Sequence, residues 1–177
     1  MLRILLVLSL LMSSPLLARD GPEAGDVAPN RLGTESRSGE KLRVDAHRGK
    51  VLVVSFWASW CGPCLEELPI LEGLQHQVSP DQLRVVAINF KESTSLYRQH
   101  LGKMKDMKMT LVHDRNGSLS DAYGVDSLPN MFIIDHEGRV AHVHHGYSKA
   151  MLPTIVDEVN ALLKARAAAI SATASRG

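Results

Sequence analysis

Trp60-Cys61-Gly62-Pro63-Cys64 holds the only two cysteines of this 177-residue chain, with two residues between them. The segment follows an apolar run, Val51 to Phe56, and opens a helical pattern that begins near Gly62. A thiol acts as a nucleophile only as its thiolate. A helix N-terminus, with its partial positive charge and unpaired N–H groups, stabilises that form. Cys61 is placed at such a terminus as the attacking sulfur. Cys64, one turn later, would lie beneath it and close a disulfide. Pro63 suits the first helical turn, where its missing N–H costs nothing. As a structural staple the pair would be poor, because so short a loop removes little chain entropy. Half of a zinc site is no better supported: there is no second Cys-x-x-Cys and no His pair at finger spacing. The residues read as a redox dithiol.

The elements around the dithiol follow from periodicity. Val51–Phe56 is a continuous apolar run, which suits a strand covered on both faces. Leu65, Leu68, Leu71 and Leu74 continue at helical spacing to about Gln77, with Pro69 predicting a kink rather than a stop. Leu83–Asn89 reads as a second buried strand, and Ser93 opens a helix to about Lys105. Met109–His113 is a short strand, and Ser118–Tyr123 a short helix ended by Gly124. Met131–Asp135 and Arg139–His145 form a hairpin, and a helix spans Lys149 to about Ala167. Residues 19–30 form an extended lead-in, and Lys41–Val44 alternates like an edge strand. Strands alternating with helices, closed by a hairpin and a helix, give an α/β fold around a mixed sheet.

The first 18 residues read as a secretory signal: Arg3, a short apolar core from Ile4 to Ala18, then polar residues. Leu16 is larger than the usual residue three before a cleavage site, so an uncleaved N-terminal membrane anchor is the alternative. No cysteine follows the run to carry a lipid. Residues 19–167 are expected to form one domain, and the Ala/Ser-rich residues 168–177 a flexible tail. An exported chain with no structural disulfide keeps its one pair for work, and the compartment expected is the periplasm. Twenty Lys and Arg against 19 Asp and Glu give no basic surface for nucleic acid.

With these residues in view, the chain resembles the thioredoxin superfamily, and within it the exported TlpA/ResA branch of thiol–disulfide oxidoreductases. Phe56-Trp57-Ala58-Ser59-Trp60-Cys61-Gly62-Pro63-Cys64 is similar to the thioredoxin active site. Gly25-Asp26-Val27-Ala28-Pro29 resembles the branch's lead-in, and Gly49-Lys50-Val51-Leu52-Val53 its approach to the first central strand. Val85–Asn89 with the following helix resembles its central insertion, and Leu128–Asp135 its cis-proline strand. The resemblance covers roughly residues 25–165 and implies a thioredoxin-like fold. That fold is a central mixed β-sheet flanked by helices on both faces, with an N-terminal extension and a central insertion. Two departures stand out. Ser55 occupies the position where cytosolic thioredoxins bury an acid, whereas Glu67 stands where the TlpA/ResA branch carries a glutamate. The proline motif reads Leu-Pro-Asn, where small or β-branched neighbours are common.

The resemblance implies the site. Cys61 attacks a partner's disulfide, and Cys64 resolves the mixed disulfide. Burial raises a thiol's pKa, so Glu67, one turn beyond Cys64, is expected to accept its proton. Trp60, Gly62, Pro63, Leu128 and Pro129 are the expected substrate-binding residues. Pro129 is expected to be cis, leaving Leu128 to pair with an extended substrate segment. Trp57 is expected to pack in the core. Gly-Pro between the cysteines is the reducing pair, thioredoxin lying near about −270 mV against about −120 mV for the oxidant DsbA. The expected partners are protein disulfides and a membrane thiol donor of the DsbD/CcdA type. The clients would be apocytochrome c or copper-site cysteines.

No cofactor or metal is required. The alternatives are a periplasmic disulfide oxidase or isomerase, or a copper-binding accessory protein using His142, His144 and His145, or His100, Met104, Met107 and Met109. A peroxiredoxin is disfavoured because its Pro-x-x-x-Thr-x-x-Cys setting is missing.

Overall fold

A computed structural model describes residues 21–175. The leader expected at residues 1–18 therefore lies outside the described residues. Five strands form the central sheet: β3 (Val51–Trp57), β4 (Leu83–Phe90), β5 (Thr110–Asp114), β6 (Asn130–Ile134) and β7 (Val140–His145). Their order is β5-β4-β3-β6-β7. The first three run parallel, β6 is antiparallel to β3, and β7 is antiparallel to β6. Two short strands, β1 (Arg31–Thr34) and β2 (Lys41–Arg43), make a separate antiparallel ribbon.

β3 is central and every one of its residues is buried, which is why its sequence is an unbroken apolar run rather than an alternating one. Its two faces serve different layers. Leu52, Val54 and Phe56 pack with Phe132 and Tyr123 in a core shared with Leu32 and Leu42 of the ribbon. Val51, Val53 and Trp57 face the other way. They meet Leu68 and Leu71 of α1 (Gly62–Gln77), Tyr97 of α2 (Thr94–Lys103), and Ile155 and Val159 of α4 (Leu152–Ala174). The short α3 (Ser118–Ala122) covers the ribbon side through Leu119. Helices thus lie on both faces of a mixed sheet.

Element boundaries agree with the sequence reading to within a few residues, with two differences. The ribbon strand β1 goes unpredicted, because Arg31 and Thr34 are polar and Gly33 breaks any pattern. Gly33 has φ +96°, and a Cβ there would come within 2.6 Å of Val112 Cγ1, so the ribbon can cross β5 only at a glycine. The last helix also runs past Ala167 to Ala174, its final residues exposed. Ala is the best helix former, so the run continues without a core-facing stripe.

Two side-chain ties fix the helices to the sheet. Gln75, buried on α1, donates to Leu83 O at 3.1 Å and accepts from Val85 N–H at 2.8 Å. Arg166 on α4 donates to Gly49 O and to Asp81 O, at the start of β3 and just before β4. Pro69 leaves α1 continuous through to Gln77.

Candidate active site

β3 ends at Trp57, and the chain turns through Ala58-Ser59-Trp60 before α1. The Ala58 carbonyl accepts the Cys61 N–H at 3.1 Å. Cys61 is the N-cap of α1: its backbone is extended, and its Sγ accepts the Cys64 N–H at 3.3 Å. The sulfur therefore occupies the place of the side-chain oxygen in an ordinary cap, at the positive end of a sixteen-residue helix. Cys61 and Cys64 are joined by a disulfide, with Cα atoms 5.3 Å apart. Cys61 is 5% exposed and Cys64 fully buried, while Gly62 and Pro63 between them are exposed. Trp60 projects into solvent at 67% exposure, and Trp57 is wholly buried. Trp57 thus packs in the core as the sequence reading expects.

Glu67 lies one turn past Cys64 and is 1% exposed. Its only hydrogen-bond donor among the described residues is Ser55, whose Oγ lies 2.7 Å from Oε2. Ser55 sits on the α1-facing side of β3 between Val53 and Trp57. The serine that stands in place of the strand's acid thus holds the acid supplied by the helix. Burial pushes Glu67 up from 4.5 to about 7, against the lowering effects of the Ser55 hydrogen bond and the charge of His144. Neighbouring Glu66 is exposed.

The Leu128–Pro129 peptide is cis. Pro129 immediately precedes β6, whose Asn130 pairs with Phe56, so it stands at the same end of the sheet as the dithiol. The Pro129 carbonyl accepts Gly146 N–H at 2.8 Å, and Leu128 forms no backbone hydrogen bond among the described residues. Leu128 is half-buried and packs on the same core cluster as Cys61 and Cys64.

Glu92 is a site residue that the sequence reading does not anticipate. It is buried, and it accepts from Ser59 N–H at 3.2 Å, Ser59 Oγ at 2.5 Å and Asn89 Nδ2 at 2.5 Å. It anchors the loop that carries Trp60. Its one sequence signal is a charged pair, Lys91-Glu92, set between a buried strand and the Ser93 cap of α2.

The soft-ligand clusters have other occupations. Met104 and Met109 are buried in the α1-side core, Met107 packs against it, and His100 lies edge-on to Trp57. His142 and His144 both turn to Glu158 on α4, whereas His145 Nδ1 faces Asn130 Nδ2 at 3.1 Å. The three histidines do not converge. Among the described residues no group of three or more His, Cys, Asp or Glu side chains is arranged to hold a metal ion.

Comparison with known proteins places this geometry. The family model for redoxin matches residues 23–163. The thioredoxin-like protein YneN of Bacillus subtilis is 34% identical over 128 residues, 71% of this chain and 74% of that one. The thiol-disulfide oxidoreductase ResA of Bacillus thuringiensis is 31% identical over 118 residues, 67% of each chain. A crystal structure from Chlorobium tepidum, described as a thiol:disulfide interchange protein DsbE, superposes with a TM-score of 0.73 at 29% identity. That match covers 80% of this chain and 99% of the other.

Proposed function

The chain belongs to the redoxin family and is a thiol–disulfide oxidoreductase of the ResA type, and from that premise we propose that it is an exported reductase of protein disulfides. The observation that carries the reading is the Cys61 cap. A sulfur that already accepts an N–H at a helix N-terminus is stabilised as a thiolate once the disulfide opens. Gly62-Pro63 between the cysteines favours the reducing direction.

In the cycle, the Cys61 thiolate attacks one sulfur of a client disulfide. The other client sulfur leaves as a thiolate and takes up a proton. Cys64 then attacks Cys61 Sγ, the second client sulfur departs, and two electrons have passed from the dithiol to the client. Cys64 must lose its proton in a site without water access. Glu67 takes it; a carboxyl titrating near 7 suits the task better than one near 4.5. Trp60 and Leu128 flank the dithiol as an apolar platform. The unpaired backbone of Leu128 is available to an extended client segment, with the exposed Gly62 and Pro63 completing the contact surface and the buried Pro129 seating the Leu128 backbone toward it.

Residues 1–18 act as the export signal or remain as a membrane anchor, residues 19–167 form the working domain, and residues 168–177 play no part in catalysis. In an oxidising periplasm the resulting disulfide is reduced again by a membrane thiol donor of the DsbD/CcdA type. Clients are apocytochrome c cysteines awaiting haem or cysteines of copper-site assembly. The equilibrium reduction potential of Cys61–Cys64, titrated against dithiothreitol or glutathione buffers, tests the direction. A value near or below about −250 mV is expected, whereas one above about −150 mV would make the protein an oxidase or isomerase.

A further inference from the structure

Ser55, Met131 and His144 form one row across the sheet: Ser55 pairs with Met131, and Met131 with His144. All three face the α1/α4 layer: Ser55 through its bond to Glu67, Met131 through the core beneath that layer, and His144 through Glu158. Two strand spacings, about 10 Å, separate the backbones of Ser55 and His144. Glu67 reaches down to one end of the row from α1, and His144 occupies the other. His144 is not free: its Nε2 lies 2.6 Å from Glu158 Oε2, while His142 Nδ1 is 3.3 Å from Oε1 of the same carboxylate. The histidine is nearly buried at 12% side-chain exposure, and His142 reaches solvent at 37%. The catalytic cycle described above uses none of these three side chains.

The surroundings of Glu67 are otherwise poor in charge. β3 offers the Ser55 hydroxyl, β6 the apolar Met131, and α1 itself Cys64 and the exposed Glu66. After β7, Tyr147 brings a buried hydroxyl that has no partner among the described residues. It packs against the α1-side core, and its phenol is pushed up by burial and by the charges of Glu67 and Glu66. His144 is the basic side chain at the far end of that row, its charge lowers the Glu67 carboxyl, and α4 meets it with Glu158.

We propose that His144, clamped by Glu158, is a positioning residue that sets the protonation of Glu67 and hence the rate at which Cys64 can be deprotonated. The inference rests on the reading of Glu67 as the proton acceptor. A protonated imidazole at the end of the row favours the ionised carboxylate, and through a buried, apolar medium the effect persists at this separation. Glu158 is the anion that keeps the ring turned to the sheet, and His142 links that anion to solvent.

The test uses the full chain, reduced and mixed rapidly with excess glutathione disulfide, so that release of glutathione from the Cys61 mixed disulfide is the observed step. Its rate is followed from pH 5 to 9. The wild-type profile has a limb that rises as Glu67 ionises. Glu67→Gln removes the limb, His144→Gln moves it to higher pH by roughly one unit, and His144→Lys, which keeps the charge, returns it close to wild type. A limb that disappears in Glu67→Gln but stays put in His144→Gln overturns the role of His144 and leaves that of Glu67 standing. A limb unchanged in Glu67→Gln overturns both. Should the His144 variants not fold, the unaltered protein serves. Its His144 ring resonances must show a second inflection at the titration of Glu67, lost in Glu67→Gln. A single inflection refutes the coupling.

Discussion

Replacing Glu67 by Gln should make the oxidised protein more stable at alkaline pH, although it removes the proton acceptor of the reaction. The reason is linkage. In the unfolded chain Glu67 titrates at its ordinary 4.5, and in the fold burial holds it at about 7. Below pH 4.5 both states carry the proton and the site is neutral to stability. Between 4.5 and 7 only the folded state keeps it, so each pH unit costs about 1.4 kcal/mol, and the cost levels off above 7. The accumulated penalty is about 3 kcal/mol, a substantial part of an ordinary domain's stability. Glutamine is never charged and still offers a carbonyl oxygen to the Ser55 hydroxyl. Any fixed cost of its unpaired NH₂ is the same at every pH. Denaturant unfolding of wild type and Glu67→Gln, with the disulfide intact, should be run at half-unit steps from pH 4 to 9. The stability difference should move in favour of Gln by about 3 kcal/mol across the window and then hold constant. A difference that stays flat to within about 0.5 kcal/mol would mean that Glu67 ionises in the fold as it does in water, and the account of its burial would be wrong.

Three further outcomes are expected. Ser55→Ala leaves the Glu67 carboxyl buried without its donor; the protein loses about 1–3 kcal/mol at pH 8, and the proton-dependent limb of disulfide exchange shifts to higher pH, as paired unfolding and stopped-flow measurements would show. Gln75→Ala orphans the Leu83 carbonyl and the Val85 N–H and should cost about 2–4 kcal/mol in chemical denaturation, while the reduction potential stays within about 15 mV of wild type. Cys64→Ser should stop the cycle after the first attack and accumulate a stable Cys61 mixed disulfide visible by intact mass, whereas Cys61→Ser should form none at equal client concentration.

The parts of this molecule that were legible from sequence are those whose signal is local. Val51–Phe56 announces a doubly covered strand by being apolar without interruption, Cys61-Gly62-Pro63 announces a helix start, and Ser93 announces its cap. The ribbon strand β1 was not legible because its one buried side chain, Leu32, gives no period, and its shape depends on Gly33 passing Val112. The contacts between distant segments were hidden for a different reason. Ser55 and Glu67 were each conspicuous alone, but only the alternation of β3 against the turn of α1 brings them to 2.7 Å. Glu92 and the pairing of His142 and His144 with Glu158 depend on which strand lies beside which, and a single chain without its fold does not state that. A pair of histidines two apart on a strand suggested metal ligation, and the helix packed over them supplied a carboxylate instead.

Arg166 ties α4 to Gly49 and Asp81, at the end of the sheet opposite Trp57 and the dithiol. The helix then carries on to Ala174 with its last turns bare. A bead, dye or surface coupled through those turns is therefore held at the rear pole, and Trp60 and the cysteines face outward from the support. Immobilised in that orientation, the protein can present its dithiol to a bulky client without the attachment standing in the way.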